Sequence, residues 1–84
     1  MDIGDIRTEI DELDARIMEL FRERFRKTEE IGRRKRESGM EIEDLDRERE
    51  VLENFKRHGS GVEEGFIERL VALILEYSKE VQRR

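Results

Sequence analysis

The sequence predicts an all-α fold: three helices per chain, long, short and medium, with two chains intertwined as a homodimer. Three observations lead there. Apolar residues recur at three- and four-residue intervals along most of the chain, the spacing of a helical face. The breaks in that spacing fall at Gly39 and at Gly59-Ser60-Gly61, and the chain contains no Pro. The first helical pattern is also too long for the remainder of the chain to cover.

That first helix is expected from about Asp5 to Ser38, capped by Asp2 or Asp5, with Glu9 and Asp11 near its positive end. Its stripe is Ile6, Ile10, Leu13, Ile17, Leu20 and Ile31, six residues within about 80° of one another. Gly39 suits the position just past its end. Gly32, in the interior, costs about 1 kcal/mol relative to Ala, so a close packing contact is expected there. A helix of this length is a rod of roughly 50 Å, whereas a compact domain of this size is about 25–30 Å across. Two chains lying across each other would cover both rods.

Asp44 is the expected N-cap of a second helix, Leu45 to about His58, with Leu45, Leu52 and Phe55 on one face and Val51 to one side. Ser60 followed by Glu63 reads as a capping box opening a third helix, from about Val62 to Gln82. Ile67, Leu70, Val71, Ile74, Tyr77 and Val81 form its stripe. Residues 1–84 thus read as one helical domain, without internal repeat or flexible linker.

Composition narrows the function. Hydrophobic residues are 35% of the chain and charged residues 49%, a thin supply for a monomeric core that association of two chains would relieve. Disorder is disfavoured because the apolar residues keep helical phase. A net charge of −5 argues against nucleic acid as the main partner. With no Cys there is no disulfide, thiolate metal site or cysteine nucleophile, and the single His58 makes no histidine cluster. No apolar run reaches membrane-spanning length and the N-terminus lacks a signal-peptide core, so a soluble cytoplasmic protein is expected.

Polar residues interrupt every apolar stripe. Arg24 and Lys35 fall within the stripe of the first helix, Glu48 between Leu45 and Leu52 on the second, and Ser78 and Gln82 in or beside the stripe of the third. An unpaired charge is costly on a core face. Two readings remain open at this point. The charges form structural salt bridges, with Arg24 reaching to solvent and Lys35 favoured by the helix C-terminus. Alternatively, the three intrusions line one polar cavity, a usual place for helical bundles to build sites. Its inventory would suit a small dianion bearing hydroxyl or ether oxygens.

Several segments then carry a family resemblance. They are Ile6-Arg7-Thr8-Glu9-Ile10-Asp11-Glu12-Leu13-Asp14, Arg22-Glu23-Arg24 with Ile31-Gly32-Arg33-Arg34-Lys35, Asp44-Leu45-Asp46-Arg47-Glu48, and Ser78 with Gln82. In this order and spacing the chain resembles the small single-domain form of the all-helical (AroQ-type) chorismate mutases over essentially its full length. The resemblance implies an intertwined dimer with two equivalent sites that isomerise chorismate to prephenate without a cofactor or metal, in phenylalanine and tyrosine biosynthesis. It implies that Arg24 and Lys35 hold the substrate's carboxylates, and that Lys35 and Gln82 contact the ether oxygen of the breaking bond. Glu48 would accept from the ring hydroxyl, assisted by the backbone at Asp44. Arg47 and Ser78 would make secondary contacts around a carboxylate, and Arg7 would reach into the partner's site. An isochorismate pyruvate-lyase would share this fold and cationic pocket. A non-catalytic helical interaction module would need only the three-helix pattern.

Overall fold

The computed structural model describes residues 1–84 as three helices and no strand: α1 (Ile3–Ser38), α2 (Leu45–His58) and α3 (Glu64–Gln82). The α1 helix begins two residues before the expected Asp5. Asp2 is its N-cap and Asp5 its partner: the Asp2 carboxylate accepts from the Asp5 N–H at 2.9 Å, and the Asp5 carboxylate accepts from the Asp2 N–H at 3.2 Å. This reciprocal pair satisfies donors that the first turn leaves without intrahelical partners. At the other end Gly39 adopts φ 69°, the left-handed conformation that lets its N–H and that of Met40 turn back onto the last carbonyls of α1.

The α2 boundaries are those expected, with the Asp44 side chain accepting from the Arg47 N–H at 3.1 Å. The start of α3 is not as expected. Ser60 does not cap it and Val62 lies outside it. Gly61 at φ 87° takes the chain out of the helical path, and the Val62 N–H closes a turn onto the Gly59 carbonyl at 2.9 Å. Glu63 then occupies the N-cap position without a side-chain hydrogen bond of its own.

The α3 helix is the middle element. It packs against α1 and against α2, while α1 and α2 do not pack against each other. The buried apolar residues follow from this: Ile67, Val71, Ile74 and Val81 come from α3, and only Val51 comes from α2. Leu52, Phe55 and Leu75 close over the α2–α3 seam.

On α1 the buried residues are Thr28 and Gly32, not the apolar stripe. They lie roughly 40° and 80° around the helix from the middle of that stripe. Phe21 and Phe25 share their edge, and Phe25 meets Tyr77 of α3 edge-on with ring centroids 4.7 Å apart. From Ile6 to Leu20 the stripe faces away from the chain: Ile10 is 48% exposed, Leu13 51% and Leu20 63%. The molecule is a rod of 55 × 24 × 15 Å, the long dimension being that of α1. Its N-terminal half therefore carries a continuous apolar face that nothing in the same chain covers.

Candidate active site

Because α1 and α2 stand apart, a cavity of about 390 Å³ opens between them over α3. From α1 it receives Arg24, Lys27, Thr28, Ile31 and Lys35; from α2, Asp44, Arg47 and Val51; from α3, Leu75, Ser78 and Gln82. Four of these side chains are cationic and one is a carboxylate, in a chain whose net charge is −5. The groove on the far side of α2, by contrast, mixes Glu48, Glu68 and Glu76 with Arg49 and Lys79. A third groove, between α1 and α3, is lined by apolar side chains alone. The cavity between α1 and α2 combines a strong charge imbalance with buried polar groups, Thr28 and Ser78.

Arg24 is its most constrained member. Its Nη1 donates to Ser78 Oγ at 3.0 Å, and the Ser78 hydroxyl donates in turn to the Ile74 carbonyl at 2.7 Å. No carboxylate neutralises the guanidinium. Burial, and then the positive charge of Arg47, lower its pKa from the ordinary arginine value. An arginine remains protonated at neutral pH in proteins, so the guanidinium stays charged here without an anionic partner. One turn along, the buried Thr28 hydroxyl donates to the Arg24 carbonyl at 3.0 Å and adds no charge.

Lys35 donates from Nζ to the Ile42 carbonyl at 2.8 Å. An ammonium has three donors, so this bond orients Lys35 and leaves others for a ligand. Asp44 contributes little free charge, because its carboxylate is already engaged in capping α2. Gln82 brings the most telling atom. Its Oε1 is buried and has no hydrogen-bond partner. A buried amide oxygen without a partner is uncommon and costly, and a site that awaits a ligand accounts for it.

The site is thus a partly buried, positively charged chamber with amide and hydroxyl groups, and no group positioned as an activated nucleophile. The family model of chorismate mutase type II matches residues 6–83. The chain belongs to this chorismate mutase family. No curated protein matches it at a significant level.

Of the positions drawn from the resemblance to chorismate mutases, Arg24, Lys35, Asp44, Arg47, Ser78 and Gln82 all line this cavity. Two do not. Glu48 points into the α2–α3 groove, where its Oε2 pairs with Lys79 Nζ at 3.4 Å; Glu43 lies 3.9 Å from the same ammonium. Arg7 is exposed on the N-terminal half of α1. It stands roughly 25 Å along the helix from Arg24, beyond the reach of any side chain. Arg47 is only loosely committed, since its guanidinium is exposed and pairs with Glu50 at 3.3 Å. Lys27 is a cation that the sequence analysis passed over. Its position at the edge of the α1 stripe, one turn from Arg24 and from Ile31, was the signal available for it.

A chamber of this charge should bind a dicarboxylate. Malate at low ionic strength is expected to raise Tm, a ligand at about 100 times its Kd adding about 2.7 kcal/mol. The shift should disappear in Arg24→Ala. An equal shift in both proteins, measured by calorimetry, would instead mark a general ionic effect.

Proposed function

We propose that this protein catalyses the rearrangement of chorismate to prephenate, with Arg24, Lys35 and Gln82 at the reacting centre. The observation that carries the reading is the cavity of four cations around an unpartnered Gln82 amide, in a chain of the chorismate mutase family. The product would serve phenylalanine and tyrosine biosynthesis.

The reaction is unimolecular. A carbon–oxygen bond breaks, a carbon–carbon bond forms, and no proton is transferred. The protein has two tasks. It holds a flexible dianion folded so that the bond-forming carbons meet, which removes orientational freedom before the barrier. It also stabilises the negative charge that develops on the ether oxygen as its bond to carbon breaks.

Arg24 binds one carboxylate and is released from its unmet charge in doing so. Lys35 contacts the other carboxylate and the ether oxygen with the donors that Ile42 leaves free. The Gln82 amide turns about its broad terminal torsion and presents Nε2–H to the same oxygen. One preorganised donor contributes roughly 3–4 kcal/mol by analogy with oxyanion holes, and a millionfold acceleration requires ~8 kcal/mol. Two donors plus orientation account for acceleration of that order.

Arg47 and Ser78 support the carboxylates, Ser78 by holding Arg24. Glu48 accepts from the ring hydroxyl after leaving Lys79, beside the backbone of Asp44. The Glu48–Lys79 pair is partly exposed to water, so leaving it costs little.

Arg7 acts across a homodimer. If two α1 helices pair antiparallel about a two-fold axis near Met18, Arg7 of one chain stands level with the cavity of the other. The exposed face of Ile6, Ile10, Leu13, Ile17 and Leu20 supports this pairing, since a second α1 would bury it.

Purified protein is expected to consume chorismate, followed by its absorbance, and to leave isochorismate untouched when that is offered separately. Arg24→Ala and Lys35→Ala should each lower kcat/KM by about 100-fold or more. Arg47→Ala, at an exposed position, should lose about tenfold or less. Equal losses at Lys35 and Arg47 would contradict their roles, and activity surviving in Arg24→Ala would point to a contaminant or another site.

The rate should be nearly independent of pH between about 6 and 8. A neutral amide does not titrate there, and the downward shift of Arg24 begins from a value far above that window. A steep loss across that interval would show that a titrating group replaces one of these donors.

Sedimentation should find a dimer. Ile10→Glu, which places a charge on the paired face twice, should shift it towards monomer and reduce activity in parallel. A parent protein that sediments as a monomer at micromolar concentration would overturn the shared site.

A further inference from the structure

Gln82 occupies the last helical position of α3, where a helix end commonly frays. No hydrogen bond of its side chain holds it, since Oε1 is buried without a partner. Something else must fix the place of this amide.

The backbone of α1 meets it directly. A Cβ at Gly32 would lie 2.4 Å from the Gln82 carbonyl oxygen, 2.6 Å from its Cα and 2.9 Å from its carbonyl carbon. The two main chains therefore touch with no side chain between them. One turn further along α1, Arg36 donates from Nη1 to the same Gln82 carbonyl at 2.5 Å. That carbonyl lies at the helix terminus, where no following turn supplies an N–H. A cation there also meets the negative end of the α3 dipole. Lys35 rides on the same turn of α1, between the two contacts.

We propose that Gly32 and Arg36 are positioning residues that clamp the end of α3 and so fix the distance between the Gln82 amide and the Lys35 ammonium. The proposal rests on the mutase reading given above and on the role of Gln82 within it. It assigns a function to Arg36, which lies outside the cavity, and explains why the α1 interior carries Gly at position 32. Gly32 permits the close approach. Arg36 closes the helix end that the approach brings near.

Arg36 is exposed, so Arg36→Met is expected to fold, whereas Gly32→Ala forces two backbones apart. The test is a double-mutant cycle between Arg36→Met and Gln82→Ala. Arg36→Met alone should lower kcat about tenfold with KM changed less than about twofold, part of the hundredfold that a small misplacement can cost. Arg36→Lys, which keeps a donor, should recover most of that loss. In the Gln82→Ala background, Arg36→Met should change kcat by less than about twofold, because the group it positions is gone. Amide exchange should quicken at Lys79 to Arg83 in Arg36→Met and stay unchanged at Ile67 to Ile74.

Multiplicative losses in the double variant would overturn the clamp while leaving the mutase reading intact. So would an Arg36→Met protein with full turnover. Full turnover in Gln82→Ala would remove the role of Gln82 and the clamp with it. A parent protein inactive on chorismate would overturn the mutase reading and the inference together.

Discussion

Arg24 is half-buried and meets a hydroxyl where a carboxylate would ordinarily stand, and the character of the site depends on that arrangement. Ser78 accepts one of its hydrogen bonds and donates its own to the Ile74 carbonyl, so the contact orients the guanidinium without neutralising it. Partly burying an unpaired charge is unfavourable, and the nearby Arg47 makes it more so. A fold tolerates such a group when a ligand supplies the missing charge. The separation of α1 from α2 provides the room, and α3 provides the floor on which hydroxyl and amide are mounted.

The same three helices supply what the proposed reaction needs. The proposed isomerisation, which transfers no proton, asks for shape and positive charge, and both are produced by helix placement. Arg24, Thr28, Ile31 and Lys35 come from successive turns of one face of α1; Ser78 and Gln82 come from successive turns of α3. Their relative positions are set by main-chain geometry more than by side-chain contacts. The close approach at Gly32 matters for this reason. A Cβ there would collide with the backbone of Gln82, so the spacing of the two helices at the site rests on the absence of a side chain.

The apolar face of α1 has a complementary meaning. Along its C-terminal half the helix uses the edge formed by Phe21, Phe25, Thr28 and Gly32 to pack on α3. Along its N-terminal half the stripe from Ile6 to Leu20 is left in water. One helix thus has two apolar edges with different destinations. The proposed pairing of two chains would use the second edge and would bring Arg7 to a cavity it cannot reach within its own chain.

Periodicity and punctuation in the sequence determined the number of helices, their order and most of their ends. A 3.6-residue repeat, a Gly after a helix and an Asp before one act locally and leave a direct record. The same periodicity placed Arg24, Lys35, Ser78 and Gln82 on inward faces, because a helix face is a property of sequence spacing alone. Tertiary structure decided what each inward residue meets. Glu48 lies on the face the spacing assigns, yet it turns to Lys79, since a long flexible side chain chooses among cross-helix partners that spacing does not reveal. Which edge of α1 packs on α3 was likewise settled by the fit of Phe25 to Tyr77 and of Gly32 to Gln82. The start of α3 depended on Gly61 adopting a left-handed conformation, which overrode a capping pattern at Ser60 and Glu63. Local chemistry thus wrote the helices into the sequence. The cavity arose from how the helices stand relative to one another, a property of the three taken together.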